Sequence, residues 1–177
     1  MTRLVLALLA AASLGAQPPL VKRDVIATVE QRLDNGIRSL DANEPYDLLG
    51  FSRGVYLPGY GVVFSAEMNL VTTLITPFHQ QPTGVQLTRL RQKKVQRLTP
   101  VREWMRKTLV EAAATLDPVP ANEQVVLAIT LFYRSFEERD GLPGQIVMQA
   151  PKHLLLDYKS NRISKAQLDA GIQVQEL

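Results

Sequence analysis

The chain contains no cysteine and only two histidines, His79 and His153. The absence of cysteine excludes disulfide bonds, a thiolate nucleophile, a thiolate metal site and a lipidated cysteine. The two histidines stand far apart in the sequence, with no carboxylate at ligand spacing. We therefore expect no metal site and no cofactor, and we expect His79, in a loop beside Phe78, to face solvent.

Charge is nearly absent from the first sixteen residues, where Arg3 is the single charged side chain. An uncharged run of 11 residues follows it, from residue 4 to residue 14, and small residues come next. That order is typical of a secretory signal peptide. The run is about half of the roughly 20 residues that a bilayer-spanning helix needs. We assign residues 1–16 to a signal peptide; the other interpretation is a buried N-terminal helix.

No excess of one charge and no internal repeat stands out in the remainder. The chain has 20 basic and 17 acidic side chains, so net charge alone indicates no partner, and we expect no nucleic-acid binding. A hydrophobic fraction of 46% is sufficient for a core. A small exported domain without disulfides is more typical of a bacterial periplasm or cell surface than of a eukaryotic secretory route.

Apolar periodicity predicts three long elements. A four-residue spacing predicts a helix over residues 20–40, with a stripe formed by Val21, Val25, Val29, Leu33 and Ile37. Strict alternation over residues 62–70 predicts a half-buried strand that runs to about Thr73. Helical spacing returns over residues 85–116, where Thr99 and Pro100 predict either two helices or one kinked helix divided at that point.

Further segments complete the predicted fold. Residues 124–133 are apolar and β-branched and predict a buried strand, which a short loop joins to a second strand over 145–150 as an antiparallel hairpin. A short helix is predicted over 152–159. The prediction is a single α+β domain over 17–160, with a mixed sheet of about three to four strands and helices packed on it. Residues 161–177 are expected to be a polar tail that can fray.

The glycines in the stretch VYLPGYGVVFSAEMNL, residues 55–70, allow two interpretations. A glycine-rich loop that binds phosphate needs a helix immediately after it. Here an alternating strand pattern follows instead. Pro58 and Gly59 occupy the two central positions that a type II turn prefers, so we predict a short strand over 54–57 that turns into the long one.

The segment GFSRG, residues 50–54, matches the G-x-S-x-G pattern of a hydrolase nucleophile elbow. A serine hydrolase would use Ser52 with His153 and either Asp140 or Asp117. The elbow requires a helix after the serine, whereas a turn and a strand are predicted here. We therefore favour a plain polar turn and assign no catalytic residue.

Polar residues near the long strand form a weak candidate ligand site. Two residues on its polar face and two tyrosines near its start could line it together: Tyr56, Tyr60, Glu67 and Asn69. The alternative, which we favour, is that Glu67 pairs with an arginine of the helical layer, such as Arg89 or Arg134.

Residues 89–107 hold eight basic side chains and one acidic one. Arg89, Lys93 and Arg97 represent this basic face, which lies opposite an apolar stripe. A solvated surface is the favoured interpretation, and binding to anionic envelope polymers or lipid headgroups is the alternative. The acidic loop with Glu137, Glu138 and Asp140 can neutralise part of the face.

These observations favour an exported protein of the bacterial envelope or periplasm that acts as a non-catalytic binding or interaction module. Its partner would be an envelope protein or an anionic polymer. The alternative is a small periplasmic serine hydrolase that uses Ser52 with His153. A third hypothesis is an assembly role, in which exposed strand edges pair with a partner.

We expect export to be accompanied by cleavage, so that the exported chain begins at Ala16 or Gln17. The short uncharged run after Arg3 and the small residues that follow it are the reason. The intact mass of protein recovered from the envelope of its host measures the start of the chain. A full-length species retained in the cytosol would contradict this prediction.

Overall fold

A computed structural model describes residues 21–72 and 82–177. The predicted signal peptide and His79 lie outside these residues. No helix within the described ranges is long and apolar enough to cross a membrane. The elements in chain order are α1 (Arg23–Arg38), β1 (Asp47–Leu48), β2 (Arg53–Leu57), β3 (Gly61–Asn69), α2 (Gly84–Ala113), β4 (Gln124–Leu131), β5 (Gln145–Pro151), α3 (Lys152–Lys159), α4 (Lys165–Gly171) and β6 (Gln173–Glu176).

The strands form one mixed sheet in the order β1-β3-β4-β5-β6, and β2 pairs with β3 on the side of β1. Only β3 and β4 are parallel, and α2 is the crossover between them. The α+β class and the β4–β5 hairpin are confirmed. The predicted strand number is wrong, because the sheet has six strands. The two additional strands, β1 and β6, have two and four residues, too few for a visible alternation.

The helices α1, α2 and α3 pack on one face of the sheet. Phe64 of β3 lines a common gap with Val29 of α1 and Leu109 of α2, so both helices meet the same strand face. Leu155 of α3 is completely buried in the same apolar cluster. On the opposite face, alternate residues such as Ser65 of β3 are exposed. The described elements therefore form two layers, with the core between helices and sheet.

The helix α2 is one helix of 30 residues, with Pro100 inside it. The structure therefore has the one-helix alternative of the prediction and not two separate helices. An internal proline costs about 3 kcal/mol through one lost hydrogen bond and a steric clash. Burial of the side chains on both sides of it, Leu98, Val101 and Met105, offsets that cost. The N-cap is Thr83, which forms a capping box with Gln86.

The polar C-terminal segment is folded, so the expected frayed tail is wrong. Ser164 forms a capping box with Gln167 that begins α4, and β6 pairs with β5. Leu168 and Ile172 are buried and anchor the segment to the core. Two anchors in seventeen residues are too few to reveal this structure in a periodicity analysis.

The predicted turn before the long strand is confirmed. Gly59 has a φ of 81°, and the Tyr60 N–H donates to the Leu57 carbonyl oxygen at 3.0 Å. This conformation suits glycine at the third position of a type II turn. The turn connects β2 to β3 as an antiparallel hairpin. A strand and not a helix follows the glycines, so the geometry of the turn explains them and no phosphate site is needed.

We expect Phe64→Ala to lower the free energy of unfolding by about 3–5 kcal/mol, since it leaves a cavity between α1, α2 and the sheet. Glu67→Gln, on the exposed face of the same strand, should cost less than about 0.5 kcal/mol. Gly59→Val should cost about 1 kcal/mol or more because of its positive φ. Denaturant melts measure all three. A larger loss for Glu67→Gln than for Phe64→Ala would contradict the assigned orientation of the strand.

Candidate functional site

The G-x-S-x-G segment is a turn that leads directly into a strand, because β2 begins at Arg53. Gly50 has a φ of 91°, which glycine adopts easily at such a bend. A Cβ at Gly54 would stand 2.6 Å from both Ile26 and Phe64, so this glycine permits the close packing of α1 on β2. Both glycines therefore have structural reasons, and no helix follows Ser52.

Ser52 is only 1% exposed, so the serine of this polar turn is buried. Its backbone N–H donates to Asp34 Oδ1 at 2.8 Å. Its Oγ is buried and has no hydrogen-bond partner among the residues that the structure describes. A hydroxyl in this position lacks both the exposure and the neighbouring base that a nucleophile needs.

The other residues of the hydrolase hypothesis lie elsewhere. His153 begins α3 just after β5, with Nδ1 3.1 Å from the Ala121 carbonyl oxygen. Ser52 precedes β2, which lies three strand spacings, or about 14 Å, across the sheet from β5. Asp140 is in the β4–β5 loop at the opposite end of β5, where its carbonyl oxygen accepts from Arg91. The three side chains therefore do not form a catalytic group.

Two carboxylates of α1 bind the outer edge of β2 instead. Asp34 accepts the N–H of Ser52, and Glu30 Oε1 accepts the N–H of Gly54 at 2.6 Å. Residues four apart on a helix are separated by about 6 Å, which matches the roughly 6.8 Å between alternate residues of a strand. Arg23 pairs with the second oxygen of Glu30 at 2.6 Å. These side chains take the place of a neighbouring strand.

The four residues of the weak ligand site do not converge. Tyr60 OH donates to Gln149 of β5 at 3.1 Å, so its ring reaches across β4. Asn69 is buried, and its Oδ1 accepts the N–H of Val71 at 3.3 Å. Glu67 is exposed on the outer face of β3. Its pairing with an arginine of the helical layer stays a prediction.

Tyr56, the fourth of these residues, contacts a carboxylate that sequence reasoning missed. Glu123 is 5% exposed, and its Oε1 accepts from Tyr56 OH at 3.2 Å and from the Gly59 N–H at 2.9 Å. Burial and the neighbouring carboxylate raise the pKa of Tyr56. Glu123 thereby fixes the β2–β3 turn against the start of β4.

The basic face of α2 is largely neutralised within the molecule. Lys93 pairs with Glu44 at 2.7 Å, and Arg97 donates to the Glu44 carbonyl oxygen while its guanidinium stacks 3.7 Å from the centre of the Tyr46 ring. Arg89 is exposed and has no ion-pair partner in the part of the chain described. Few of these cations therefore remain available to an anionic polymer.

A buried ion pair joins the same helix to the acidic loop. Lys94 is fully buried, and its Nζ lies 2.5 Å from Glu137 Oε2 and 4.8 Å from the centre of the Tyr133 ring. Burial lowers the pKa of Lys94, and burial also raises the pKa of Tyr133 to about 12. The expected neutralisation by the acidic loop is confirmed for Glu137.

A groove of about 760 Å³ lies between α2, α3 and α4. Val110, Tyr158 and Leu168 contribute apolar surface to it. Seven of its lining residues are charged: Glu103, Arg106, Lys107, Glu111, Lys159, Lys165 and Asp169. We call it the α2–α4 groove. Sequence reasoning missed it, because α4 was not predicted.

Most charges of the α2–α4 groove are paired with each other. Asp169 accepts from Lys165 at 2.5 Å and lies 3.6 Å from Arg106. Lys107 lies 3.7 Å from Glu111. Lys159 and Glu103 have no ion-pair partner within the described residues. The groove therefore offers one unused cation and one unused anion beside apolar surface.

No protein-family model, curated protein or solved structure matches this chain. Within residues 21–72 and 82–177, no group of three histidine, aspartate or glutamate side chains is placed to hold a metal ion. The function therefore has to be inferred from the geometry of the chain itself.

We expect Asp34→Ala to lower the free energy of unfolding by about 1–3 kcal/mol, because it leaves the buried N–H of Ser52 without an acceptor. Ser52→Ala removes a hydroxyl that has no partner, so it should cost less than about 0.5 kcal/mol. Denaturant melts compare the two variants. Ser52→Ala should also leave any measurable esterase activity unchanged, and a loss of turnover in a folded Ser52→Ala protein would contradict this assignment.

Proposed function

We propose that the chain is an exported, non-catalytic interaction module of a bacterial envelope, and that it binds a partner protein in the α2–α4 groove. The observation that carries the proposal is the groove itself, which combines apolar surface with convergent charges. The smaller cleft beside Ser52, of about 470 Å³, adjoins a serine without a base. The hydrolase alternative has no comparable support.

The charge pattern of the groove favours a protein segment over an anionic polymer. Three of its four cations already contact Asp169 or Glu111, so a polyanion would have to displace those carboxylates. A peptide segment that carries both an acidic and a basic residue can instead meet Lys159 and Glu103. Apolar side chains of the same segment can pack against Val110 and Tyr158.

The walls of the groove are held in place by contacts outside it, which favours a preformed site. Lys152 at the start of α3 is buried, and its Nζ donates to the carbonyl oxygens of Leu116 and Val119, both at 2.6 Å. A Cβ at Gly171 would stand 2.4 Å from the Leu154 side chain, so α4 packs closely on α3. A preformed groove binds with a smaller loss of conformational entropy.

Export is supported by the sequence alone. The charged, apolar and small-residue order of residues 1–16 is that of a signal peptide, and the chain has no cysteine that oxidation could modify. A folded core of this kind holds its structure without disulfides.

Exchange of the two unused charges tests the proposed partner class. The mature protein is immobilised, and proteins captured from envelope extract are quantified by mass spectrometry for wild type, Lys159→Glu and Glu103→Lys. We expect each substitution to reduce capture of the same partner several-fold, because each removes one complementary contact at the groove. Arg89→Glu, on the same helix but outside the groove, is the matched control and should capture as wild type does.

The two single variants separate the partner classes. Glu103→Lys makes the groove more cationic, so it would strengthen binding of an anionic polymer and weaken binding of the proposed protein. Stronger retention of anionic polymer by Glu103→Lys, or equal capture by all four proteins, would contradict the proposal.

A further inference from the structure

The outer strand β6 presents unpaired backbone groups along its free edge. Leu177 and Gln145 exchange both backbone hydrogen bonds, at 3.0 and 3.1 Å. Bonded and non-bonded pairs alternate along an antiparallel ladder, so Gln175 and Gln173 also bond to β5. The N–H and carbonyl groups of Val174 and Glu176 therefore point away from the sheet.

The other edge of the sheet is treated differently. There the N–H groups of Gly54 in β2 and of Ser52 just before it are bound by Glu30 and Asp34, as described above. On β6 no side chain of the described residues binds the outward groups of Val174. The strand has no proline, lysine or bulge, and its length of four residues limits pairing to a short segment. The free edge of β6 is therefore open at the outward groups of Val174 and Glu176.

We propose that β6 pairs with β6 of a second copy of this chain, antiparallel and about a two-fold axis at Val174. In this register Val174 faces its own counterpart, and Ile172 faces Glu176 of the other copy. Each Val174 then exchanges two hydrogen bonds with its counterpart. Each Glu176 N–H reaches the Ile172 carbonyl oxygen. The Ile172 N–H already donates to Leu168, so the pairing ends there.

The side chains of β6 fit a copy of themselves. Gln173 of one copy lies beside Gln175 of the other, and Gln173 already accepts from Gln149 at 2.7 Å across the β5–β6 ladder. A row of amides would therefore continue across the two-fold axis. The carboxylate of Glu176 is held by Arg102 at 2.6 and 2.9 Å, so no unpaired charge opposes association.

The ion pair with Arg102 also fixes β6 before any partner arrives. The guanidinium holds the pKa of Glu176 below its usual value, which indicates a favourable contact with the charged form. An edge that is already extended loses little conformational entropy on pairing. Association would join two six-stranded sheets into one continuous sheet. The dimer would have two α2–α4 grooves, whatever occupies them.

Val174→Pro tests the pairing directly. Proline removes the outward N–H of residue 174 and leaves the bonds of Gln173 and Gln175 to β5, a position that an edge strand tolerates. We expect wild type and the control Val174→Thr to show a monomer–dimer equilibrium in sedimentation experiments up to millimolar concentration. Val174→Pro should raise the dimer dissociation constant at least about tenfold, since each copy loses a hydrogen bond.

A cysteine placed on the two-fold axis provides a second measurement that does not depend on the proline variant. The chain has no cysteine of its own, so Val174→Cys can form a disulfide only between copies. Bonded antiparallel neighbours have Cα atoms about 5.5 Å apart, within the range of a disulfide. We expect Val174→Cys to cross-link under mild oxidation and the exposed control Arg89→Cys to remain monomeric.

Three results would overturn the inference. They are a wild-type protein that stays monomeric at millimolar concentration, a dimer unaffected by Val174→Pro, and equal cross-linking of Val174→Cys and Arg89→Cys. The first would leave β6 free for a strand of another protein, and the other two would assign association to a different surface. None of these results depends on what binds in the groove.

Discussion

The parallel pairing of β3 with β4 is the constraint on which the rest of the structure depends. Parallel neighbours require a crossover, and here α2 supplies it with 30 residues, a length of about 45 Å. The nine residues of β3 extend about 30 Å, so α2 is longer than the sheet that it covers. Its N-terminal part lies at the end where β3 and β4 finish, and there Lys93, Lys94 and Arg97 contact the loops of Glu44 and Glu137. In the sequence alone, the basic face suggests binding to a polyanion. In the structure it attaches the N-terminal part of a crossover helix, which is longer than the sheet, to these loops.

The sequence predicts those elements whose burial follows a regular period over two turns or several strand residues. Residues of α1, β3, β4 and α3 behave in this way, and the structure has them within a few residues of the predicted bounds. The short strands β1 and β6 and the helix α4 depend on pairing with β3 or β5 and on two anchors, Leu168 and Ile172. Their positions are determined by tertiary contacts, which the amino-acid sequence alone does not reveal. Pro100 left the prediction open between one helix and two for the same reason, because the sequence does not show that burial of its neighbours offsets its local cost.

The groups that organise the candidate sites are less visible than the elements. Glu30 and Asp34 are like charges four residues apart on a helix, an arrangement that is unfavourable in isolation and therefore indicates that each needs a partner. Their partners are two backbone N–H groups of β2, which no side-chain pattern reveals. The role of Glu123 is equally hidden in the sequence, where it is simply a polar residue before a strand. In the structure it is buried against Tyr56 and Gly59. By contrast, the motif around Ser52 is conspicuous in the sequence, whereas the structure buries its hydroxyl without a hydrogen-bond partner among the described residues.

The contacts of the polar groups indicate which parts of this molecule remain available to a partner. In the described part of the chain, the carboxylates of α1 and the cations of α2 mostly serve to satisfy edges, loops and helix ends. A polar group with a structural partner contributes little to binding, because a ligand must first break that contact. Among the groups without such partners are the unused charges of Lys159 and Glu103 and the outward backbone of Val174. The first is the basis of the proposed partner in the α2–α4 groove and the second of the proposed pairing with another copy, and the two surfaces are formed by different elements of the fold.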